Sequence, residues 1–443
     1  MKFFFSFSLG FLVTTFAFCC FGETVADREG AVRNDRTAME NDKRWIYNDF
    51  QKGFAEAKRT GKPLLVVLRC VPCLACSGID TAVLLQETEL TPLLDQFICV
   101  RVINANALDL ARFQFDYDLS FSTLFFNADG TVYGRYGSWT HQKNSQDKTT
   151  ASYRLALEGA LAIHKGYPAN RDSLALKQGT PIPFKTPVEM PSLMEKYTYD
   201  LNWSGKVVQS CVHCHQIGEA FRLSYRDKKQ KIPTELIYPM PPPETIGFTL
   251  APDRIAEVTA IEPGSSAEKA GLKKGDNFVS LAGQPLLSIA DVSWVLHRSP
   301  EEGSLEAIIL RSGKEKKLNL ALAKGWRRDS DISKRVGTWS MRGMAAGGMV
   351  LENLSAAEKK SRGIADPFMA LRVKSVGQYG IHAAAKNAGF QKEDVIIKID
   401  GMTNEHTEGR LLGDLLQDHL KGEKVKATVL RGEVKVELEL PMQ

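Results

Sequence analysis

Hydrophobic and polar positions lay out the first third of the chain. Phe50, Phe54 and Ala57 recur at helical spacing and predict an amphipathic helix over 48–59, which Gly61-Lys62-Pro63 stops. The apolar run Leu64-Leu65-Val66-Val67-Leu68 predicts a strand, and Phe97-Ile98-Cys99-Val100-Arg101-Val102 a second. A third, Leu124-Phe125-Phe126, turns at Asn127-Ala128-Asp129-Gly130 into Thr131-Val132-Tyr133. This order predicts a compact α/β unit over 41–167. Pro168, Pro181, Pro183, Pro187 and Pro191 follow with little periodicity, which reads as a stiff connector within a segment spanning 168–245.

The last two hundred residues or so hold an internal repeat. Ala267, Ala270, Gly271, Leu272, Asp276 and Gly283 recur 118 residues later as Ala385, Ala388, Gly389, Phe390, Asp394 and Gly401. Each copy runs on through a helical stretch to a β-hairpin containing Ala307-Ile308-Ile309-Leu310-Arg311 or Ala427-Thr428-Val429-Leu430-Arg431. Two copies argue for tandem domains, here 246–323 and 368–443, separated by a glycine- and methionine-containing insert over 324–367.

Composition adds limits. At 443 residues the chain exceeds one ordinary core and predicts several domains. The formal charge of +5 comes from 57 basic and 52 acidic residues with mixed signs, which argues against a nucleic-acid binder. Met1 and Lys2 precede an uncharged run from Phe3 to Cys20, and Glu23 and Asp27 open a polar stretch, so residues 1–22 read as an export signal. The alternative is an uncleaved anchor, since spanning needs ~20 apolar residues. The expected location is therefore the periplasm or another exported compartment, with membrane association only through that segment.

Seven of the eight cysteines lie in the leader or in two tight groups. Cys70, Cys73 and Cys76 follow the first strand at three-residue intervals, where a helix amino terminus can stabilise a thiolate. This arrangement resembles thioredoxin-like proteins. The resemblance implies that Cys73 attacks a disulfide, Cys76 resolves the intermediate, and Cys70 is an extra thiol. It also implies a cis-proline before the third strand, where this chain has Ser122. Copper or zinc bound by the three thiols and a structural disulfide are the alternatives. Cys99 reads as a small buried hydrophobe.

Cys211-Val212-His213-Cys214-His215 has the order of a c-type haem attachment site, with thioethers at Cys211 and Cys214 and His215 on the iron. Haem c is the only cofactor expected. Met240, in Tyr238-Pro239-Met240-Pro241-Pro242-Pro243, is the first candidate for the distal ligand, with Met341, Met344 and Met349 behind it. Zinc held by Cys211, Cys214, His213 and His215 is the alternative, although zinc usually wants a second ligand pair and no further cysteine lies nearby in sequence.

Pro263-Gly264-Ser265-Ser266-Ala267-Glu268-Lys269-Ala270-Gly271-Leu272-Lys273-Lys274-Gly275-Asp276 resembles PDZ domains of the bacterial protease-associated kind. The resemblance implies a carboxylate-binding loop and peptide-accepting strand at Ile246, Gly247, Phe248, Thr249 and Leu250, flanked by helix residues Ile289, Val292 and Leu296. Partners would be protein or peptide C-termini or strands. The second copy is looser, with Glu393 at a usual glycine and His382 at a usual proline or serine, and an internal packing role is the expectation there. No Gly-x-Ser-x-Gly or Gly-Asn-Ser-Gly-Gly segment occurs, so a serine protease is not expected.

The whole order resembles a family of exported thioredoxin-like/PDZ proteins from planctomycete-like bacteria, some of them selenoproteins, of which this would be an all-cysteine member. The fold expected is multidomain: α/β plus mainly-β, with a thioredoxin-like domain, an irregular haem-binding segment and two PDZ-like domains. Two functions fit. One is a thiol-disulfide oxidoreductase with covalent haem, PDZ-mediated recruitment and a redox partner protein; the other is a non-catalytic haem-bearing scaffold.

Overall fold

The computed structural model describes residues 25–73, 76–85, 89–137 and 149–443. The proposed leader over 1–22, with Cys19 and Cys20, lies outside them. Among the described residues no helix is long and apolar enough to cross a membrane.

The first unit is a five-stranded sheet. Its strands are β1 (Trp45–Tyr47), β2 (Leu64–Arg69), β3 (Ile98–Val102), β4 (Phe121–Phe126) and β5 (Val132–Tyr136), in the order β1-β3-β2-β4-β5. β2 pairs parallel with β3 and antiparallel with β4. Its unbroken apolar sequence follows from burial on both faces. Leu65 and Val67 join a core with Ile79, Val83, Tyr153 and Leu157, whereas Leu64, Val66 and Leu68 join another with Phe54, Ala57 and Val100. The helices concerned are α2 (Phe50–Thr60) and, on the opposite face, α3 (Ser77–Leu85) and α4 (Ala151–Gly166). Asp49 caps α2 by accepting the Lys52 amide at 2.8 Å, and Gly61 ends it in the left-handed region at φ 72°. A preceding helix, α1 (Val25–Asn41), packs beside β1.

The proline-rich stretch is laced to this domain rather than standing off as a spacer. Gln114 exchanges hydrogen bonds with the Thr180 backbone at 2.7 and 3.0 Å, Leu110 donates to the Lys185 carbonyl, and Leu174, Val188 and Met190 are buried. It leads to α5 (Cys214–Asp227).

The first repeat has the small sheet β6 (Phe248–Leu250) with β7 (Val258–Ile261). A larger one runs β11-β10-β8-β9, formed by β8 (Asn277–Leu281), β9 (Gln284–Pro285), β10 (Gly303–Arg311) and β11 (Lys314–Leu322). Helix α6 (Ile289–Arg298) packs against it. The second repeat is one sheet in sequence order: β12 (Val350–Asn353), β13 (Leu371–Ser375), β14 (Val395–Ile399), β15 (Lys424–Arg431) and β16 (Val434–Pro441). It carries α7 (Thr338–Ala346) and α8 (Glu408–Asp418). Its first strand comes from the segment read as an insert, where Met341, Met344 and Met349 are core residues.

The repeat extends to side-chain chemistry. Asp276 accepts from Arg311 and from the Lys273 amide, and Asp394 accepts from Arg431 and from the Gln391 amide. In both copies the arginine also donates to a glycine carbonyl at 2.8 Å, Gly271 or Gly389. Glu393, which replaces the glycine at 275, adopts φ 72° where Gly275 has 85°.

The first repeat is docked on the thioredoxin-like unit through Asp291 of α6. Its carboxylate pairs with buried Lys177 at 2.8 Å and accepts the Arg135 amide at 3.0 Å and the Leu287 amide at 2.9 Å. Arg135 lies on β5, the outer strand of the first sheet, so a side chain satisfies an amide of that edge. The Arg135 guanidinium stacks 3.6 Å from the Trp294 ring.

Candidate functional site

The three-cysteine segment leaves the end of β2 and enters α3. Cys70 donates its amide to the Ser120 carbonyl at 2.9 Å, and the Cys73 amide donates to the Cys70 carbonyl at 3.0 Å, closing a turn. Cys73 is half-buried at the front of the helix, and Cys76 is buried behind it. Under the turn lie compensated charges. Arg69 donates to Asp80 at 2.9 Å and to the carbonyls of Cys70 and Ser120. Arg101, fully buried, donates to Asp80 at 2.7 and 3.0 Å and pairs with Asp35 at 2.5 Å. Burial alone would raise the Asp80 carboxyl, but Arg101 and Arg69 hold it below the usual carboxylate range. Burial pushes the Cys76 thiol up, partly offset by its hydrogen bond with Ser120 and by Arg69.

Ser122 lies inside β4, paired with Leu68. The cis-proline position of the resemblance is thus ordinary strand here.

The second cysteine motif closes over the first. Asn106, fully buried in the loop after β3, accepts the Val212 amide at 2.7 Å and donates to the Ser210 carbonyl at 2.8 Å and the Thr198 carbonyl at 2.7 Å. Glu29 of α1 accepts the Val207 and Val208 amides at 3.0 Å each. Cys211 packs with Val71 and Ile103, and Cys214, the first residue of α5, packs into the core with Leu68 and Val102. The His213 Nδ1 stands 3.1 Å from Cys70 Sγ, and its ring stacks on His215 with centroids 5.8 Å apart. Cys70 therefore sits where both motifs meet.

Burial, followed by the nearby Cys214, Cys211 and Cys73 sulfurs, raises the Cys70 thiol well above its ordinary value. Burial pushes Cys211 up to about 11, and burial with Cys211 beside it pushes Cys214 up to about 12. His213 falls to about 4 through burial and then the neighbouring His215 and Arg28. Among the described residues no three ligand side chains converge to hold a metal ion.

The donor set of Cys211, Cys214 and His215 is that of haem attachment, but its surroundings in this arrangement are not. Cys214 is buried and Cys211 half-buried against the first domain. A cavity of about 290 Å³ opens one turn further along α5, at Gly218 and Phe221, and Met240 lines it, but Cys211, Cys214 and His215 do not. The alternative methionines, Met341, Met344 and Met349, are each 1% exposed in the second repeat's core.

At the first repeat, Gly247 has φ 90°, and a Cβ there would lie 2.0 Å from Ser265 Cβ, so only glycine fits this turn. Ile246, Phe248 and Leu250 are buried, Thr249 is half-buried, and Val292 and Leu296 are buried in the same core, with half-buried Ile289 packed against it. Among the described residues β6 pairs only with β7. In the second repeat Gly348 holds the equivalent place, at φ 85°, with its Cβ position 2.1 Å from the His382 carbonyl oxygen. There Glu408 accepts the Leu351 amide at 2.8 Å, tying β12 to α8.

Sequence reasoning found every cysteine of this site but missed that the two groups meet. It also missed Asn106, one of two asparagines in the loop after β3, which nothing in the local pattern sets apart.

Comparison with known proteins agrees with two of these units. A thioredoxin-like family model matches residues 45–128, and a PDZ domain model matches 257–311. The chain thus carries a thioredoxin-like domain and a PDZ domain. It is similar to the periplasmic pH-dependent serine endoprotease DegQ of Escherichia coli K12, 28% identical over 34% of this chain and 30% of that protein. It is also similar to the periplasmic serine endoprotease DegP of the same organism, 31% identical over 32% of this chain and 26% of that protein. The chain therefore spans less than a third of the length of either relative. Among solved structures, the HtrA-type protease AlgW with decapeptide matches at 21% identity over 31% of this chain and 40% of that chain, with a TM-score of 0.20.

Proposed function

We propose that this protein is an exported thiol-disulfide redox protein that recruits its partners through the first PDZ domain. Cys73 carries the reading: it is the half-buried cysteine at the front of α3, with a buried second thiol, Cys76, three residues on. As a thiolate, Cys73 attacks a substrate disulfide, forming a mixed disulfide and releasing one substrate thiol. Cys76 then attacks Cys73 Sγ, which releases the second substrate thiol and leaves a Cys73–Cys76 disulfide. The two protons of the dithiol end on the two substrate thiols. The unpaired edge of β6 and the Gly247 turn suit a peptide added as a strand, with its terminal carboxylate at the turn. In the second copy, Glu408 on the Leu351 amide supports an internal packing role. Export is supported by the order of charged, apolar and polar residues at the N-terminus.

Cys73→Ser should abolish reduction of a glutathione mixed disulfide or of insulin by the full-length protein. An unchanged rate would leave the thioredoxin-like domain as a binding platform. A second reading, haem c on Cys211, Cys214 and His215 with Met240 as distal ligand, is favoured by the order of the attachment motif. It requires the N-terminal turn of α5 to release both thiols from the first domain. Expression with haem-attachment machinery followed by a visible spectrum decides it: a covalent α-band that survives acid-acetone is the positive result.

A further inference from the structure

Two features take no part in the thiol exchange of Cys73 and Cys76: Cys70, extra to the attacking and resolving pair, and the second Cys-x-x-Cys, which does not line the cavity beside Met240. The fold puts them together. Cys70 belongs to the same turn as Cys73, whose amide donates to the Cys70 carbonyl. Its Sγ is 3.1 Å from Nδ1 of His213, the residue between Cys211 and Cys214. Cys211 and Cys214 are close enough to Cys70 to disfavour its thiolate, as Cys73 does from the other side. Asn106 and Glu29 fix the backbone that carries the second pair, so the juxtaposition is built by hydrogen bonds and not by side-chain packing alone.

We propose that Cys211 and Cys214 are a second redox-active dithiol, which exchanges its disulfide with the thioredoxin-like pair through Cys70. The inference rests on the thiol-redox reading of Cys73 and Cys76. Starting from the Cys73–Cys76 disulfide, Cys70 attacks Cys73 Sγ, forming Cys70–Cys73 and releasing Cys76 as a thiol. Cys214 attacks Cys70 Sγ, forming Cys70–Cys214 and releasing Cys73. Cys211 then attacks Cys214 Sγ, forming Cys211–Cys214 and releasing Cys70. One disulfide has moved, and the protons lost by Cys211 and Cys214 reside on Cys73 and Cys76. No oxidant is consumed beyond the disulfide that first oxidised Cys73 and Cys76. The reduction potentials of the two pairs set the direction.

The test follows the disulfide. Reduced full-length protein is mixed with a limiting amount of glutathione disulfide, quenched with an alkylating reagent at increasing times, and mapped by peptide mass spectrometry. The wild type should show Cys73–Cys76 early and Cys211–Cys214 later. Cys211→Ser should accumulate the Cys70–Cys214 cross-link. Cys70→Ser and Cys70→Ala should keep the disulfide at Cys73–Cys76, and its formation there shows that the variant is folded. Cys211 and Cys214 remaining fully alkylatable while Cys73–Cys76 cycles would overturn the relay and leave the thiol-redox function standing. Transfer that persists without Cys70 would overturn it too. So would both cysteines recovered as haem thioethers, or shielded from alkylation until a chelator removes zinc. If Cys73 and Cys76 themselves never oxidise, both readings fall.

Discussion

His297 offers a prediction whose sign and size follow from its surroundings. It ends α6 beside the cavity, with Nδ1 3.5 Å from the Met240 amide and its carbonyl accepting from Arg327 at 3.0 Å. Burial first, and then Arg327, Arg298, Arg135 and Arg335, lower it from 6.5 to about 3. A histidine that stays neutral in the fold but takes a proton when unfolded withdraws stability as pH falls. The contribution is whole above the unfolded value near 6.5 and is lost progressively below it. At ~1.4 kcal/mol per tenfold, the two pKa values imply a loss of about 2 kcal/mol between pH 7 and pH 5. The ring is only half-buried against the cavity, so solvent screening reduces the expected loss to about 1–2 kcal/mol. Asn in its place retains an acceptor for the Met240 amide and cannot titrate. Urea unfolding of wild type and His297→Asn at both pH values, followed by intrinsic tryptophan fluorescence, isolates the term because all other groups cancel. Equal pH dependence in the two proteins would refute the reasoning.

Three further outcomes are expected. Asn106→Ala removes the acceptor of the Val212 amide and two donors, costing about 2–4 kcal/mol by the loss of buried hydrogen bonds, and Cys211 and Cys214 should become rapidly alkylated while the first domain stays folded. Glu393→Gly relieves a side chain at φ 72° and should stabilise the second repeat by about 0.5–1 kcal/mol, read by calorimetry as a rise in Tm. Gly247→Val should eliminate capture of C-terminal peptides in a fluorescence-polarisation assay without altering the reactivity of Cys73, because the Cβ would collide with Ser265.

Much of the fold was legible because burial writes directly into local pattern. The two-faced burial of β2 required the run Leu64 to Leu68, and the fixed spacing of Asp276 and Asp394 carried the repeat into matching arginine contacts. The second repeat's glycine turn was not legible. Gly348 stands before β12, and a helix of its own, Ala356–Ser361, separates that strand from β13, so the turn fell outside the register of the first copy. The meeting of the cysteine groups was equally hidden, since more than 130 residues separate Cys73 from Cys211 and it takes the Asn106 and Glu29 hydrogen bonds and the packing of α5 to bring them together. The pairing of Ser122 with Leu68 inside β4 is likewise a tertiary fact that no local pattern carries.

The carboxylate of Asp291 makes the modules interdependent. An outer strand with free amides is an invitation to other strands, and here one of those amides is occupied by a neighbour's side chain whose own charge is neutralised by Lys177 from the connector. Cutting the gene between the first domain and the repeats would leave Lys177 without its carboxylate and a sheet border open to self-association. The first repeat thus serves the first domain as a cover for that border.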